Sequence, residues 1–261
     1  MLAKEISKWI KTYAKQSNIK ALVVGVSGGI DSSVVSTLCA HTKLKVYALT
    51  MPIRQSEQTH SLSVRHAKWL TENFKNVKHI NIDLTRTYEV FDSALSMPHF
   101  NSELGFANSR SRIRMMTLYQ VAQSVNGIVV GTGNKVEDYG VGFYTKYGDG
   151  GIDIAPIADL YKTEVWMLGE HLGVDERIIS AAPTDGLWDD GRTDTDQLGV
   201  SYEMLEWVME SGMIEGCYDL ESLTMWKGVP FTEEQKEAIH QYVKFNTQNK
   251  HKMVEIPTFK L

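Results

Sequence analysis

Leu22-Val23-Val24-Gly25-Val26-Ser27-Gly28-Gly29-Ile30-Asp31-Ser32-Ser33 decides how the rest of the chain is read. Its opening residues are aliphatic apart from one glycine, the composition of a strand buried on both faces. Val34, Val35 and Leu38 then recur at helical spacing. A strand that passes into a helix through Ser-Gly-Gly must turn tightly. Such a turn aims backbone N–H groups and the positive end of the helix at one point. That is an anion cradle, suited to phosphate. No Gly-Lys-Ser/Thr follows the glycines, so it is not the common mononucleotide loop. Asp31 stands at the helix start instead, where a carboxylate can hold Mg²⁺ against phosphate oxygens. Ser27, Ser32 and Ser33 add hydroxyl donors. The plain alternative is a tight connection with Asp31 as the helix N-cap.

Outward from this stretch the N-terminal half alternates. The spacing predicts strands over 21–26, 45–51, 78–82 and 127–131. Helices are expected over about 2–15, up to 40 behind the glycine turn, and over 61–73, 88–95 and 109–124. Strands separated by helix-length segments imply right-handed βαβ units. The expectation is an α/β fold: a doubly wound, mostly parallel sheet with helices on both faces. Ligands of such sheets sit beyond the carboxyl ends of the strands, where the strand order reverses. After Gly131 the character changes. Residues 133–153 read as a long glycine-rich polar loop with aromatics, and 182–195 as an acidic mobile loop that could act as a lid. Helices over 162–172, 201–210 and 232–245 make up a helical C-terminal part.

The 261 residues can bury a substantial core as one domain. A net charge of −5 argues against nucleic acid as a partner. Cys39 and Cys217 stand alone, which suggests neither a disulfide framework nor a zinc site. The first residues carry charges at helical spacing and no export signal core. No apolar stretch approaches the roughly 20 residues of a membrane helix. A cytoplasmic protein without a membrane partner is expected.

Three further motifs carry chemistry. In Gly131-Thr132-Gly133-Asn134-Lys135-Val136-Glu137, Thr132 can bond a nucleotide and Glu137 can give the metal a second carboxylate. A glycine turn followed by a solvated glutamate is the alternative. Phe143-Tyr144-Thr145-Lys146-Tyr147-Gly148-Asp149-Gly150-Gly151-Ile152-Asp153 combines rings that can stack on a base with a lysine that can pair with phosphate or carboxylate. Ala107-Asn108-Ser109-Arg110-Ser111-Arg112-Ile113-Arg114 places three arginines at the expected start of a helix. Cations there oppose the dipole, and a bound anion would offset that cost. Surface arginines paired to nearby carboxylates are the ordinary reading. Lys162, Thr184 and His251-Lys252, taken singly, read as routine surface chemistry.

In order, these motifs resemble those of the ammonia-dependent NAD synthetase family, within the N-type ATP pyrophosphatases. The match runs from Gly25 to Lys252, and the Thr-Lys-Tyr-Gly-Asp-Gly segment at 145–150 is its most specific part. The Asp-x-x-Gln-Leu-Gly-Val-Ser-Tyr run at 194–202 also belongs to it. The resemblance implies one NAD synthetase domain over 1–261, with no glutaminase or nitrilase domain, and a homodimer. It implies a Mg²⁺-dependent ligase that adenylates deamido-NAD with ATP, releasing pyrophosphate. Ammonia then displaces AMP to give NAD.

Carried over residue by residue, Gly25, Val26, Ser27, Gly28, Gly29, Ile30, Asp31 and Ser32 correspond to the ATP loop. Asp31 and Glu137 are the implied metal ligands. Thr132, Lys162 and Thr184 match ATP-binding positions, and Asp31, Glu137, Lys162 and Thr184 are the implied catalytic set. Arg112, Lys146, Asp153, His251 and Lys252 match deamido-NAD positions at the subunit interface, with Phe143 or Tyr144 stacking on the nicotinate. Met51-Pro52-Ile53-Arg54-Gln55 resembles the segment beside the adenine. Met253 stands where the family often has arginine, and Arg112 rather than Arg110 follows from aligning Asn108. Two other readings compete. Another ATP pyrophosphatase, GMP-synthetase-like or tRNA-thiolating, should lack the 145–150 segment or carry more cysteines. A nucleotide sensor without catalysis should have lost Asp31, Glu137, Lys162 or Thr184.

Overall fold

The computed structural model describes residues 1–55, 57–188, 190–211, 225–226 and 229–260. Cys217 and Asp189 lie outside the described residues. The chain runs α1 (Leu2–Gln16), β1 (Ala21–Gly25), α2 (Ile30–His41), β2 (Lys45–Thr50), α3 (Glu57–Asn73), β3 (Val77–Asn81), α4 (Thr85–Leu95), α5 (Glu103–Ser124) and β4 (Gly127–Val129). It continues through a π-helical turn (Val136–Val141), α6 (Lys162–Leu172), α7 (Glu176–Ile179), α8 (Asp194–Leu198) and α9 (Tyr202–Glu210). The short antiparallel pair β5 (Met225–Trp226) and β6 (Val229–Pro230) precedes α10 (Glu233–Met253).

The four main strands are parallel, in the order β3-β2-β1-β4. The chain builds outward from β1 to β3 and then returns to β4 on the other side of β1. The reversal lies between β1 and β4, which is where a ligand is expected. Strand alternation explains the layers on either face. Leu22 and Val24 pack with Ile10, Val34, Val35, Leu38 and Val165 of α1, α2 and α6. Ala21 and Val23 face the other way, against Tyr88, Ile113 and Ala122 of α4 and α5. Both faces of β1 are therefore covered, and β1 is buried along its length except at Gly25. A second apolar cluster ties the π-helical turn to α8, α9 and α10 through Val136, Val141, Leu198, Leu205 and Ile239.

Up to β4 the element types agree with the sequence reading although several starts do not, and the β5–β6 pair falls in the part read as helical. α5 begins at Glu103, not near 109, because Ser102 accepts from the Gly105 N–H as its N-cap. Arg110, Arg112 and Arg114 thus sit beyond the first turn, so the dipole argument does not apply to them. α3 and α4 also start earlier than their apolar spacing indicates, and α10 runs on to Met253, taking in His251 and Lys252. The segment 133–153 is not all loop, since Val136–Val141 is helical. Likewise α8 begins inside the acidic stretch, capped by Thr193. Among the described residues, no helix is long and apolar enough to cross a membrane.

Candidate active site

The glycine turn lies at the carboxyl end of β1. Gly28 has φ +93°, a left-handed conformation that disfavours a β-carbon. Gly29 is the N-cap of α2 and makes no side-chain cap bond. The serines knit the loop together. Ser27 Oγ lies 3.0 Å from Ser32 Oγ and accepts the Gly29 N–H at 3.2 Å. Ser32 and Ser33 donate to the Gly29 carbonyl at 3.0 and 2.9 Å. Asp31 is not the N-cap. It is the second residue of α2, and its carboxylate meets the loop after β4 and the start of α6.

There Lys162, the first residue of α6, meets it. Lys162 Nζ donates to Asp31 Oδ2 at 2.6 Å and to Glu137 Oε1 at 3.0 Å. Its residue is 2% exposed, so this is a buried bridge between two carboxylates. Three residues without an assigned role hold the bridge. Asn134, fully buried, donates to Asp31 Oδ1 at 3.1 Å and accepts the Val136 and Glu137 N–H groups at 3.1 Å each. Tyr202 lays its ring 4.9 Å from Lys162 Nζ, donates its hydroxyl to Glu137 Oε1 at 2.7 Å and lies 3.1 Å from Asp194 Oδ2. One turn along α9, Glu206 accepts from the N–H and hydroxyl of Thr163 at 3.0 and 2.6 Å, fixing the start of α6.

The electrostatics follow from burial and this pairing. Burial pushes the Asp31 carboxyl up, against the pull of Lys162. Burial acts on Glu137 in the same sense, but Lys162, Tyr202 and Asn134 outweigh it and hold that carboxyl below its usual value. Lys162 is held protonated by Asp31 and Glu137 despite its burial. Further acids crowd in. Asp138 is pushed up to about 8, first by burial and then by Glu137, Asp149 and Asp31. Asp194 is pushed up to about 7 by burial and Glu137, and its Oδ1 is buried without a partner. A β-carbon at Gly133 would lie 2.2 Å from both Asp138 oxygens, so only glycine admits that carboxylate. The cluster carries more acid than base, a field that attracts cations.

Of the other expected residues, Arg112, Lys146, His251 and Lys252 gather on one rim. Arg112 Nε donates to the Lys146 carbonyl at 3.3 Å, and Lys146 Nζ reaches the His251 carbonyl at 3.5 Å, so these three are contiguous. Lys252 turns inward: Nζ donates to Gly142 O at 2.5 Å and Tyr144 O at 2.8 Å and lies over the Tyr144 ring. Asp153 accepts the Val129 N–H at 2.7 Å and the Tyr119 hydroxyl at 3.1 Å, joining β4 to α5. Thr132 is half-buried beside β4. Thr184 is exposed, and its hydroxyl donates to the Arg192 carbonyl at 3.2 Å. Its loop is braced by Trp188 on Gln197 and by the Asp194 N–H on the Pro183 carbonyl. That last bond links Thr184's segment to Asp194, Tyr202 and the lysine bridge.

Fold and site together define a parallel α/β protein of the adenine nucleotide alpha hydrolase-like fold, with a glycine turn beside a buried acid–lysine cluster. The family model described as NAD synthase matches residues 2–255, and the chain belongs to that family. It is 36% identical over 260 residues to the NH3-dependent NAD+ synthetase of Methanocaldococcus jannaschii, covering 98% of this chain and 95% of that protein. Among solved structures, an NMN synthetase from Francisella tularensis superposes with a TM-score of 0.84 at 29% identity, covering 100% of this chain and 98% of that one. The NH3-dependent NAD synthetase of Campylobacter jejuni gives 0.75 at 25%, covering 99% and 98%.

Proposed function

We propose that this chain is an ammonia-dependent NAD synthetase, which uses ATP to amidate deamido-NAD through an adenylated carboxylate. The observation that carries the reading is the convergence of Glu137 and Lys162 on Asp31, beside the glycine loop and more than 100 positions earlier in sequence. The loop of 25–32 binds the leaving pyrophosphate, and Lys162 with Thr184 and Thr132 serves the nucleotide near its α-phosphate. The N–H donors of the loop and the Lys162 ammonium stabilise the charge that develops as the nicotinate oxygen attacks phosphorus.

The donor set suits Mg²⁺, because a cation, the Lys162 ammonium, already bridges the two carboxylates. Asp31 and Glu137 would hold it, and it would supply charge neutralisation at the phosphates. Among the described residues no group of three acids, histidines or cysteines is disposed to hold a metal alone. Two carboxylates completed by phosphate oxygens is the usual Mg²⁺ arrangement. Arg112, Lys146 and His251 lie where the dinucleotide would be gripped, with Lys252 and Asp153 beside them. The reading includes a cytoplasmic homodimer. Val90, Phe100, Leu104 and Met116 expose apolar surface on and between α4 and α5.

A second reading has one observation in its favour: the full-length superposition on an NMN synthetase. The nicotinate half of the substrate is common to both. The inward Lys252 leaves one cation fewer at the rim for a second phosphate and adenosine. One assay separates the readings. Purified protein is given Mg²⁺–ATP, an ammonium salt, and either deamido-NAD or the nicotinate mononucleotide, and amide product and pyrophosphate are measured together. The first reading expects the higher kcat/KM for the dinucleotide. A reversed preference makes the mononucleotide the substrate, and no pyrophosphate from either overturns both.

A further inference from the structure

The Lys162 bridge has a consequence beyond binding nucleotide. Its ammonium sits 2.6 Å from Asp31 Oδ2 and 3.0 Å from Glu137 Oε1, buried, with the Tyr202 ring closing a third side. A Mg²⁺ ion binds carboxylate oxygens at about 2.0–2.1 Å. An ion bridging these same two oxygens would overlap the nitrogen. Asp31 Oδ1 is already taken by Asn134. The backbone of Glu137 is fixed by the same asparagine, through its N–H. Glu137 Oε1 also accepts the Tyr202 hydroxyl, so the ammonium and an ion compete for one place between these two oxygens.

We propose that Lys162 is the resident counter-ion of the metal site and is displaced, not joined, when a divalent cation takes Asp31 and Glu137. Loading the site therefore releases the lysine toward the phosphates that arrive with the metal. The two carboxylates stay paired throughout. This matters because a buried carboxylate pair without a cation is strongly destabilising. The inference rests on the reading of Asp31 and Glu137 as metal ligands.

The test uses the full chain without nucleotide and Mn²⁺ as the probe. Electron paramagnetic resonance titration should show Lys162→Met binding Mn²⁺ at least about tenfold tighter than the unaltered chain, a gain of about 1.4 kcal/mol. The second readout is acetylation of Lys162 in the unaltered chain, followed by mass spectrometry. Buried Lys162 should be protected without metal and should label several-fold faster at saturating Mn²⁺. Tighter binding by the variant with Lys162 still protected would mean that the metal joins the lysine, and would overturn the proposal. Equal Mn²⁺ affinities would overturn it as well. If neither protein binds Mn²⁺, even with a non-hydrolysable ATP analogue, the metal reading fails and takes this one with it. Should the variant not fold, the labelling of the unaltered chain decides alone.

Discussion

The acid–lysine cluster and the rim of Arg112, Lys146, His251 and Lys252 are built on opposite principles. In the cluster, side chains bond side chains: Lys162 to Asp31 and Glu137, Asn134 to Asp31, Tyr202 to Glu137. Those residues come from α2, α6, α9 and the segment after β4, and the geometry is held by buried charge. On the rim, side chains bond backbone carbonyls: Arg112 to Lys146, Lys146 to His251, Lys252 to Gly142 and Tyr144. Such contacts are neutral at one end and easily exchanged for a phosphate or carboxylate, which makes the stronger charge-assisted bond. The difference teaches that the end proposed to meet the phosphates is organised in advance. The end proposed to grip the substrate is a set of cations parked on carbonyls.

The comparison breaks most visibly if the cluster proves dispensable. Asp31→Asn keeps the shape but removes the charge that pairs with Lys162. Turnover should fall on the order of 10³-fold or more, as when a principal transition-state electrostatic contact is lost. Circular dichroism should show the fold retained. Normal pyrophosphate release by a folded Asp31→Asn variant would remove Asp31 from the mechanism.

The rim should respond differently. Lys146→Ala deletes one charge-assisted contact to the nicotinate substrate, worth roughly 1.5–3 kcal/mol, or about 10- to 100-fold. The loss should fall on the KM of that substrate, leaving the KM of ATP near its original value. Equal changes in both Michaelis constants would show that the rim and the cluster are not separate sites.

Much of this contrast was legible in the sequence and part was not. The glycine turn, Asp31 and Glu137 stand beside a strand end or helix start, where local patterning points to them, whereas Lys162 read as surface chemistry and stood out only through the family resemblance. Their mutual contact could not be read, because it depends on α6 docking against α2, with Gly169 against Ile30. Asn134 sat inside a motif that was read for its threonine and glutamate. Its role lies in a buried bond to a residue 103 positions away, which no spacing reveals. Tyr202 and Asp194 bounded a recognised run, but Tyr202 also opens an apolar helix, where an aromatic residue is ordinarily core. The arginines misled for a simpler reason. An N-cap serine followed by Glu-Leu-Gly starts α5 two turns before the apolar spacing becomes regular. Surface position and a lone Gly105 masked that start.

The last effect is thermodynamic, and it tests whether the cluster alone stores charge at the expense of stability. Asp138 is pushed up to about 8 by burial and by Glu137, Asp149 and Asp31. Its ordinary value is 3.8. A carboxyl whose value is raised on folding binds its proton more tightly in the folded state, so ionisation favours unfolding. The penalty is absent below about pH 4, grows with pH between the two values, and is complete above about 8. Asp138→Asn removes the titration. Its melting temperature should match the unaltered chain near pH 4, exceed it progressively as the pH rises, and keep a constant lead beyond pH 8. Each kcal/mol recovered corresponds to roughly 2–4 °C in a chain of this size. Lys146→Ala, measured alongside, should show no such pH-dependent gain. If Asp138→Asn gains nothing at pH 8, the carboxylate is not confined against Gly133 as described, and the cluster is less tightly built than its distances imply.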